Sequence, residues 1–234
     1  MTSVADAPSP ASSLPFAGVL FDCDGVLVDS EPITLGVMRQ AFADHGWDMP
    51  LAECEARFLG RQLSDEAAEI ERRTGLPFPA FQAEFRRRRD AALAARVGPI
   101  DGIPDVLPRI FAGYGGRIAS GSDRGKLDIM LGRAGLAGWF EDGRLLSGTE
   151  MPRGKPAPDV YLAAAAALGV EPARCAVVED TRTGALAGRA AGATVFGYCP
   201  GGPGHDSALK LREAGVTRLF HDMHALPALL GLPA

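Results

Sequence analysis

The chain lacks the features that mark a membrane protein, a disulfide-rich secreted domain or a nonspecific nucleic-acid binder. Its longest unbroken apolar run covers residues 160–168, nine positions, whereas a membrane span needs roughly 20. The four cysteines form no CxxC pair and no metal-ligand spacing, which favours a reducing, cytoplasmic setting. Lys and Arg number 24 against 29 Asp and Glu, and this formal charge of −5 argues against nonspecific nucleic-acid binding.

Apolar residues are plentiful, and they predict a folded core. They make up 47% of the 234 residues, enough for one large domain or two small ones. Residues 1–14, rich in Pro, Ser and Ala, have neither a basic start nor a continuous apolar segment, so we expect a disordered tail and not a secretory signal. No coiled-coil pattern is visible, so we expect a monomer.

Short apolar runs alternate with helical segments after this tail. Strands are predicted at Gly18–Phe21 and at residues 117–119, 176–178 and 194–196, and helices at 126–134, Asp159–Leu168 and 181–191. The strand runs are apolar without alternation, as in a parallel sheet that is buried on both faces. This order predicts an α/β fold with a doubly wound parallel sheet.

One long stretch departs from this alternation. Residues 33–95 contain no strand-like run and are rich in Ala, Glu and Arg, with breaks at Gly and Pro. We therefore predict an all-helical subdomain, residues 31–97, inserted into an α/β core of residues 15–30 and 98–234. The four consecutive arginines 86–89 lie in this subdomain, and because consecutive helical residues point all round, we expect them on a solvated surface.

The first segment with chemical potential follows the first predicted strand. Asp22 and Asp24 are two positions apart, so on an extended chain both carboxylates lie on one face. They stand at the carboxyl end of the strand, where open α/β sheets bind ligands. Gly25 then permits a tight turn with exposed amide groups. Two crowded carboxylates are costly unless a cation neutralises them.

Three further segments each have a plain structural alternative. Ser120 and Gly121 stand between a strand and a helix, where they could bind phosphate or simply cap the helix. Lys155 lies between glycine and proline residues and could bind a phosphoryl group or be a surface lysine. Glu179 and Asp180 end a third strand; they suit Mg²⁺, although Asp180 could instead cap the next helix.

Taken together, these segments form a specific pattern: DxDGxxxD, then Ser, then Lys, then an acidic pair, each after a strand. The pattern resembles the haloacid dehalogenase-like (HAD) hydrolase superfamily, over residues 16–230. The resemblance implies a Rossmann-like core with a helical cap. It further implies a nucleophile at Asp22 and a general acid/base at Asp24. Phosphoryl-binding groups are implied at Gly25, Ser120, Gly121 and Lys155, and Mg²⁺ held by Asp22, the Asp24 carbonyl, Glu179 and Asp180.

The implied activity is hydrolysis of a small sugar phosphate or sugar-acid phosphate. Asp24 argues against the dehalogenases of the superfamily, which lack it because a halide leaves without a proton. Glu31 in the hinge and Arg61 in the cap loop 58–62 are the candidates for contacting the leaving group. The alternative is a β-phosphoglucomutase-like isomerase, although the sequence Ser30-Glu31-Pro32 departs from the usual mutase hinge.

The implied chemistry also carries an expectation about acidity. Asp24 must be protonated when the leaving alkoxide departs, and must then accept a proton from water. We therefore expect its neighbours to keep the pKa of Asp24 above that of Asp22.

Overall fold

The computed structural model describes residues 14–59, 61–141, 143–202 and 204–233. The predicted tail, residues 1–14, lies outside this range apart from Leu14, which packs against the hydrophobic core. Among the helices within this range, none is long and apolar enough to cross a membrane.

Within the described residues, the core is a six-stranded parallel sheet in the order β3-β2-β1-β4-β5-β6. The strands are β1 Gly18–Phe21, β2 Gly115–Ser120, β3 Leu145–Ser147, β4 Cys175–Glu179, β5 Thr194–Tyr198 and β6 Arg218–Phe220. The four predicted strands fall within β1, β2, β4 and β5. The predicted fold class, a doubly wound, Rossmann-like α/β sheet, is confirmed.

The helices between β1 and β2 begin with a group of four that shares its own hydrophobic cluster. These are α1 Glu31–Asp44, α2 Leu51–Phe58, α3 Ala67–Thr74 and α4 Phe78–Arg96. Phe42 lies at the centre of the cluster, with its ring centroid 4.6 Å from Trp47 and 4.9 Å from Phe81. A separate cluster is what an inserted cap requires; the limits 31–97 stay a prediction.

The remaining helices cover the two faces of the sheet. They are α5 Ile103–Gly113, α6 Arg124–Arg133, α7 Asp159–Leu168, α8 Arg182–Ala190, α9 Ala208–Glu213 and α10 Leu226–Leu229. The fully buried side chains of β1 alternate between them: Val19 and Phe21 join the cluster with α5, α6 and α10, and Leu20 joins the cluster with α7, α8 and α9. Burial on both faces explains why the strands are apolar without alternation.

Candidate active site

Three neighbouring strands end at one edge of the sheet and bring predicted site residues together there. Because β1 lies between β2 and β4, the loops that follow these strands adjoin. Asp22 follows β1, Ser120 ends β2 and Glu179 ends β4. The amide of Asp22 donates to the carbonyl oxygen of Val178 at 3.0 Å, which ties the first loop to β4.

The turn after Asp24 requires a glycine. Gly25 has a φ of +72°, in the left-handed region that residues with a side chain rarely adopt. A Cβ at this position would lie 2.1 Å from Oδ2 of Asp180. The loop after β1 therefore contacts the carboxylate after β4 directly, and the missing side chain makes this contact possible.

Lys155 joins the carboxylates of β1 and β4. Its Nζ donates to Oδ1 of Asp22 at 2.9 Å and to Oε1 of Glu179 at 2.6 Å. Tyr161, in the first turn of α7, donates its hydroxyl to the same Glu179 oxygen at 2.7 Å and accepts from Lys155 at 3.1 Å. Burial alone would lower the pKa of Lys155, but the charges of Asp22 and Glu179 raise it, so this lysine is held as a cation.

The carboxyl group of Asp22 is buried among like charges. Burial raises the pKa of Asp22 to about 7, and Glu179 and Asp24 add to the shift while Lys155 opposes it. A second cation beside this carboxylate would favour its ionised form.

Asp180 supplies the strongest indication of a metal ion. Within the described part of the chain, neither of its buried carboxylate oxygens has a hydrogen-bond partner. One carboxylate oxygen from each of Asp22, Glu179 and Asp180 lies within 4.8 Å of the others. Burial and then the charges of Glu179 and Asp22 raise the pKa of Asp180 well above its ordinary value. A hard divalent cation such as Mg²⁺ would satisfy these oxygens and offset the repulsion, so the residues fit the predicted cofactor.

Glu179 is engaged differently from Asp180, although both were predicted as metal ligands. Its Oε1 accepts from Lys155 and Tyr161, and its Oε2 accepts from the amide of Thr181 at 3.3 Å and from the hydroxyl of Thr181 at 3.1 Å. The side chain is fully buried. Its oxygens are occupied by protein donors, and the principal contact of Glu179 is with Lys155.

Asp24 is surrounded by donors on both carboxylate oxygens. Oδ1 accepts from Lys126 Nζ at 2.7 Å and from the Ser30 hydroxyl at 2.5 Å, and Oδ2 accepts from the Ser122 hydroxyl at 2.6 Å. Burial alone would raise the pKa of Asp24, but Lys126 and the two hydroxyls lower it to about 2. The expected order of acidity is therefore wrong for this structure, in which Asp22 is the weaker acid.

Ser120 and Gly121 lie at the end of β2, beside these carboxylates. The Ser120 side chain is buried, and its oxygen accepts from the amide of Ser122 at 3.1 Å. A Cβ added to Gly121 would meet no atom within 4 Å, so the main chain there borders open space. This arrangement leaves room for a ligand next to the loop.

A cavity of about 670 Å³ separates this edge of the sheet from α1 and α4. The predicted site residues that line it are Asp22, Asp24, Glu31, Arg61, Ser120, Gly121, Lys155 and Asp180. Gly25 and Glu179 are not among the lining residues but contact two of them. Gly25 lies against the carboxylate of Asp180, and Glu179 accepts a hydrogen bond from Lys155.

The two candidates from the helical segment thus face the same cavity as the carboxylates. Glu31 begins α1, and burial raises its pKa to about 7, against the opposing charge of Lys126. Arg61 is exposed in the loop after α2.

Sequence reasoning missed Lys126, Ser122 and Tyr161. Lys126 stands in the first turn of α6, whose N-cap residue Asp123 accepts from the Lys126 amide at 3.0 Å. A cation is unfavourable at a helix N-terminus, because the helix dipole is positive there. A lysine in this position, three residues after a capping Asp, was the available indication of a functional role.

Comparison with known proteins agrees with the family that the sequence motifs resemble. The model of the haloacid dehalogenase-like hydrolase family matches residues 16–192. The chain is 31% identical over 183 residues to 6-phosphogluconate phosphatase of Escherichia coli, with 77% of this chain and 81% of the relative covered.

Two solved structures extend this comparison. A HAD family hydrolase from Deinococcus radiodurans, solved with phosphate and sodium, is 36% identical with a TM-score of 0.79, covering 94% of this chain and 100% of the other. A proposed beta-phosphoglucomutase of Thermotoga maritima has a TM-score of 0.75 and 21% identity, covering 92% and 98% of the two chains. At 21% identity, the similarity to this second structure supports the fold and nothing about activity.

Proposed function

Because the chain belongs to the haloacid dehalogenase-like hydrolase family and is a phosphatase, we propose that it hydrolyses a small sugar phosphate or sugar-acid phosphate, with Mg²⁺ and through a phosphoaspartate on Asp22. The observation that carries the proposal is the meeting of Asp22, Lys155 and Asp180 beside one cavity, with the Asp180 carboxylate accepting no hydrogen bond from the described residues. The volume of about 670 Å³ is in the range that holds small ligands.

Asp22 is the proposed nucleophile. Lys155 fixes its Oδ1, and the other carboxylate oxygen attacks phosphorus while the bond from phosphorus to the ester oxygen breaks. The charge of Lys155 offsets the repulsion between carboxylate and phosphate, and the main chain at Ser120 and Gly121 supplies further donors. Gly25, also predicted to bind the phosphoryl group, donates its amide to the carbonyl oxygen of Val28 at 2.9 Å instead. Two successive displacements replace one difficult hydrolysis.

Asp22, Asp180 and the main-chain carbonyl of Asp24 would hold Mg²⁺. When bound, the ion supplies positive charge that stabilises the phosphoryl oxygens. The orphaned oxygens of Asp180 support this assignment. Glu179, also predicted as a ligand, is assigned the further role of holding Lys155 through their 2.6 Å contact.

Asp24 is the proposed general acid and base. It gives a proton to the leaving oxygen, then takes one from the water that attacks the phosphoaspartate and releases phosphate. The low pKa of Asp24 keeps this group in the carboxylate form, the form that accepts a proton. The negative charge of a bound substrate phosphate raises the pKa of a neighbouring carboxyl, which favours the protonated form needed first.

Residues 31–97 are the proposed cap, with Glu31 and Arg61 as contacts for the sugar part of the substrate. Both line the cavity opposite the carboxylates, and a cap in this place shields the phosphoaspartate from bulk water. The monomeric state that the sequence suggests remains a prediction.

The β-phosphoglucomutase-like alternative uses the same phosphoaspartate but returns the phosphoryl group to the sugar. It requires a bisphosphate intermediate that reorients while water stays out. The hinge sequence Ser30-Glu31-Pro32 departs from the usual mutase pattern, so we favour the hydrolase.

The first experiment measures phosphate release from phosphorylated metabolites in the presence of Mg²⁺. The panel contains 6-phosphogluconate, phosphoglycolate, hexose 6-phosphates and β-glucose 1-phosphate, with a parallel set that includes a bisphosphate primer. We expect phosphate release that EDTA abolishes. Isomerisation of β-glucose 1-phosphate with little phosphate release would instead establish the mutase.

A pair of variants tests the assignment of the core residues. We expect Asp22→Asn to abolish phosphate release, and Arg61→Ala to retain it with an altered KM. Full activity in Asp22→Asn would overturn the proposed nucleophile.

A further inference from the structure

His205 lies in the loop between β5 and α9, and its imidazole ring reaches the edge of the sheet that holds the candidate site. The Nε2 atom of this ring lies 3.1 Å from the carbonyl oxygen of Gly25 and 4.0 Å from Oδ2 of Asp180. The side chain is only 7% exposed. A nearly buried imidazole therefore faces both the loop after β1 and the carboxylate after β4, although the proposed reaction gives it no part.

The partner of Nε2 establishes which nitrogen of the ring carries a hydrogen. A carbonyl oxygen only accepts, so Nε2 of His205 donates to Gly25. Nδ1 is buried and has no hydrogen-bond partner within the described part of the chain, which is costly for a polar atom. The ring of Tyr198 packs edge-on against the imidazole, with centroids 5.8 Å apart and planes at 86°. The ring orientation thus serves the contact of Nε2 and not that of Nδ1.

The main chain on both sides of His205 is anchored to parts of the molecule that border the site. The amide of Gly204 donates to Oε1 of Glu55 in α2 at 3.1 Å. The amide of Asp206 donates to the main-chain carbonyl of Asp180 at 3.2 Å, and Oδ2 of Asp206 accepts from the first amide of α8 at 2.8 Å. These bonds fix the position of the His205 ring relative to Asp180.

The bond to the Gly25 carbonyl bears on a proposed magnesium ligand. The carbonyl oxygen of Asp24 belongs to the peptide unit that precedes the α-carbon of Gly25. The nitrogen of that unit donates to the carbonyl oxygen of Val28 at 2.9 Å, and the carbonyl of the following unit accepts from His205. Hydrogen bonds on both sides of the Gly25 α-carbon therefore hold the turn, and with it the direction of the Asp24 carbonyl.

We propose that His205 is a positioning residue for magnesium, which sets the Asp24 carbonyl relative to the Asp180 carboxylate through its bond to Gly25. The inference rests on the proposed function, because it needs the magnesium site assigned there. Groups that orient metal ligands in the metal-free protein raise its affinity for the metal. At 4.0 Å from Oδ2, Nε2 is too far away for a hydrogen bond, so His205 leaves the Asp180 oxygens available to a cation.

The test is calorimetric titration of Mg²⁺ into the magnesium-free full-length protein, without substrate. His205→Gln and His205→Asn form a matched pair, because the amide nitrogen of glutamine can take the place of Nε2, whereas that of asparagine reaches only the place of Nδ1. We expect His205→Asn to weaken Mg²⁺ binding about 10-fold or more, the usual effect of losing a group that orients a metal ligand. We expect His205→Gln to keep an affinity within about threefold of the wild type.

The control is His224→Asn, the same substitution at an imidazole that pairs with Asp222 and Asp105 and does not line the cavity. It should keep the wild-type affinity for Mg²⁺. Urea unfolding of the magnesium-free proteins measures any loss of stability separately, because a purely structural role of His205 would lower stability without changing Mg²⁺ affinity. In phosphate-release assays, the half-saturating Mg²⁺ concentration should rise in His205→Asn, while KM for the sugar phosphate stays within about twofold.

The outcomes separate this inference from the proposed function. If His205→Asn binds Mg²⁺ as the wild type does, or if His205→Gln loses as much affinity as His205→Asn, the positioning role is wrong while the phosphatase proposal stands. The same holds if the wild type binds no Mg²⁺ in the calorimeter but releases phosphate. If the wild type neither binds Mg²⁺ nor releases phosphate from any substrate of the panel, both proposals fail.

A measurement on the wild type covers the case in which His205→Asn does not fold. The imidazole N–H of His205 gives a nuclear magnetic resonance signal that is identified by its loss in His205→Gln. We expect this signal to shift when Mg²⁺ is added, because the ring lies beside the proposed ligands. A signal that does not move at saturating Mg²⁺ would overturn the positioning role.

Discussion

The Nζ atom of Lys126 lies 2.7 Å from Oδ1 of Asp24, although Asp24 belongs to the loop after β1 and Lys126 to the first turn of α6. The contact is nearly buried, with side-chain exposures of 8% and 13%. It is the principal interaction that keeps the pKa of Asp24 low against burial. The proposed acid/base is therefore oriented by a lysine outside the motifs that identify the family.

Lys126→Met tests the importance of this orientation. We expect kcat to fall about 100-fold while KM changes little, because a misplaced acid/base loses its contribution to proton transfer. Lys126→Arg keeps the charge and should recover part of the rate. Lys210→Met removes a lysine from an exposed pair with Asp206 and serves as the control with unchanged kcat. Wild-type kcat in Lys126→Met would contradict the assignment.

Tyr161→Phe removes the hydroxyl that bridges Lys155 and Glu179. We expect the free energy of unfolding to fall by about 1 kcal/mol, the net value of a buried hydrogen bond. We also expect kcat to fall about 10-fold, because Lys155 loses part of its support. The control is Tyr114→Phe, whose hydroxyl donates to the Leu230 carbonyl away from the site and should affect urea unfolding without changing kcat. Equal kcat in the two variants would count against a positioning role for Tyr161.

Gly25→Ala and Gly46→Ala should both lower the free energy of unfolding through backbone strain, but the new methyl group has different surroundings in the two variants. Gly25 has a φ of +72° and Gly46 a φ of +79°, so each variant should lose about 1–2 kcal/mol in urea unfolding. The Cβ of Gly25→Ala would also press on Asp180, whereas no atom lies within 4 Å of the position at Gly46. We expect calorimetry to show Mg²⁺ binding in Gly46→Ala only. Comparable Mg²⁺ binding in both would exclude Asp180 as a ligand.

Phe42→Ala tests whether the helical segment is a separate cooperative unit. Removing this ring from the cluster of α1–α4 should cost about 3–5 kcal/mol. The two tryptophans report on different parts, because Trp47 packs on Phe42 and Trp139 packs on Phe111 in the core. In Phe42→Ala we expect Trp47 fluorescence to change at lower urea than Trp139 fluorescence, measured in single-tryptophan variants. Coincident transitions would show that cap and core unfold as one.

Much of the fold could be predicted because its central strands are continuous apolar runs that are flanked by glycine or charged residues. Gly18–Phe21 and Asp159–Leu168 have the bounds that the sequence predicts. The edge strands β3 and β6 were missed, because each has three residues and is partly exposed. Helix α5 was missed because Pro108 interrupts its sequence pattern, although the helix continues through that residue.

The candidate site was predictable where one short segment carries the pattern, and not where distant segments meet. The loops holding Asp22 and Asp180 were found this way, whereas the contact of Lys126 with Asp24 joins residues 102 positions apart. The order of the Asp22 and Asp24 pKa values was wrong because it depends on that contact. Which arginines of the run 86–89 line the cavity depends on the rotation of α4 about its axis, and four identical residues in a row do not reveal that rotation.

The position of β1 between β2 and β4 has a consequence for biosynthesis. Asp22 is made early by the ribosome, but the carboxylates that it faces follow β4, late in the chain. A nascent polypeptide that ends before residue 175 carries the proposed nucleophile without Glu179 or Asp180, and therefore without the proposed metal site. Under the proposed function, phosphatase activity therefore begins only after β4 and the carboxylates that follow it have joined the sheet.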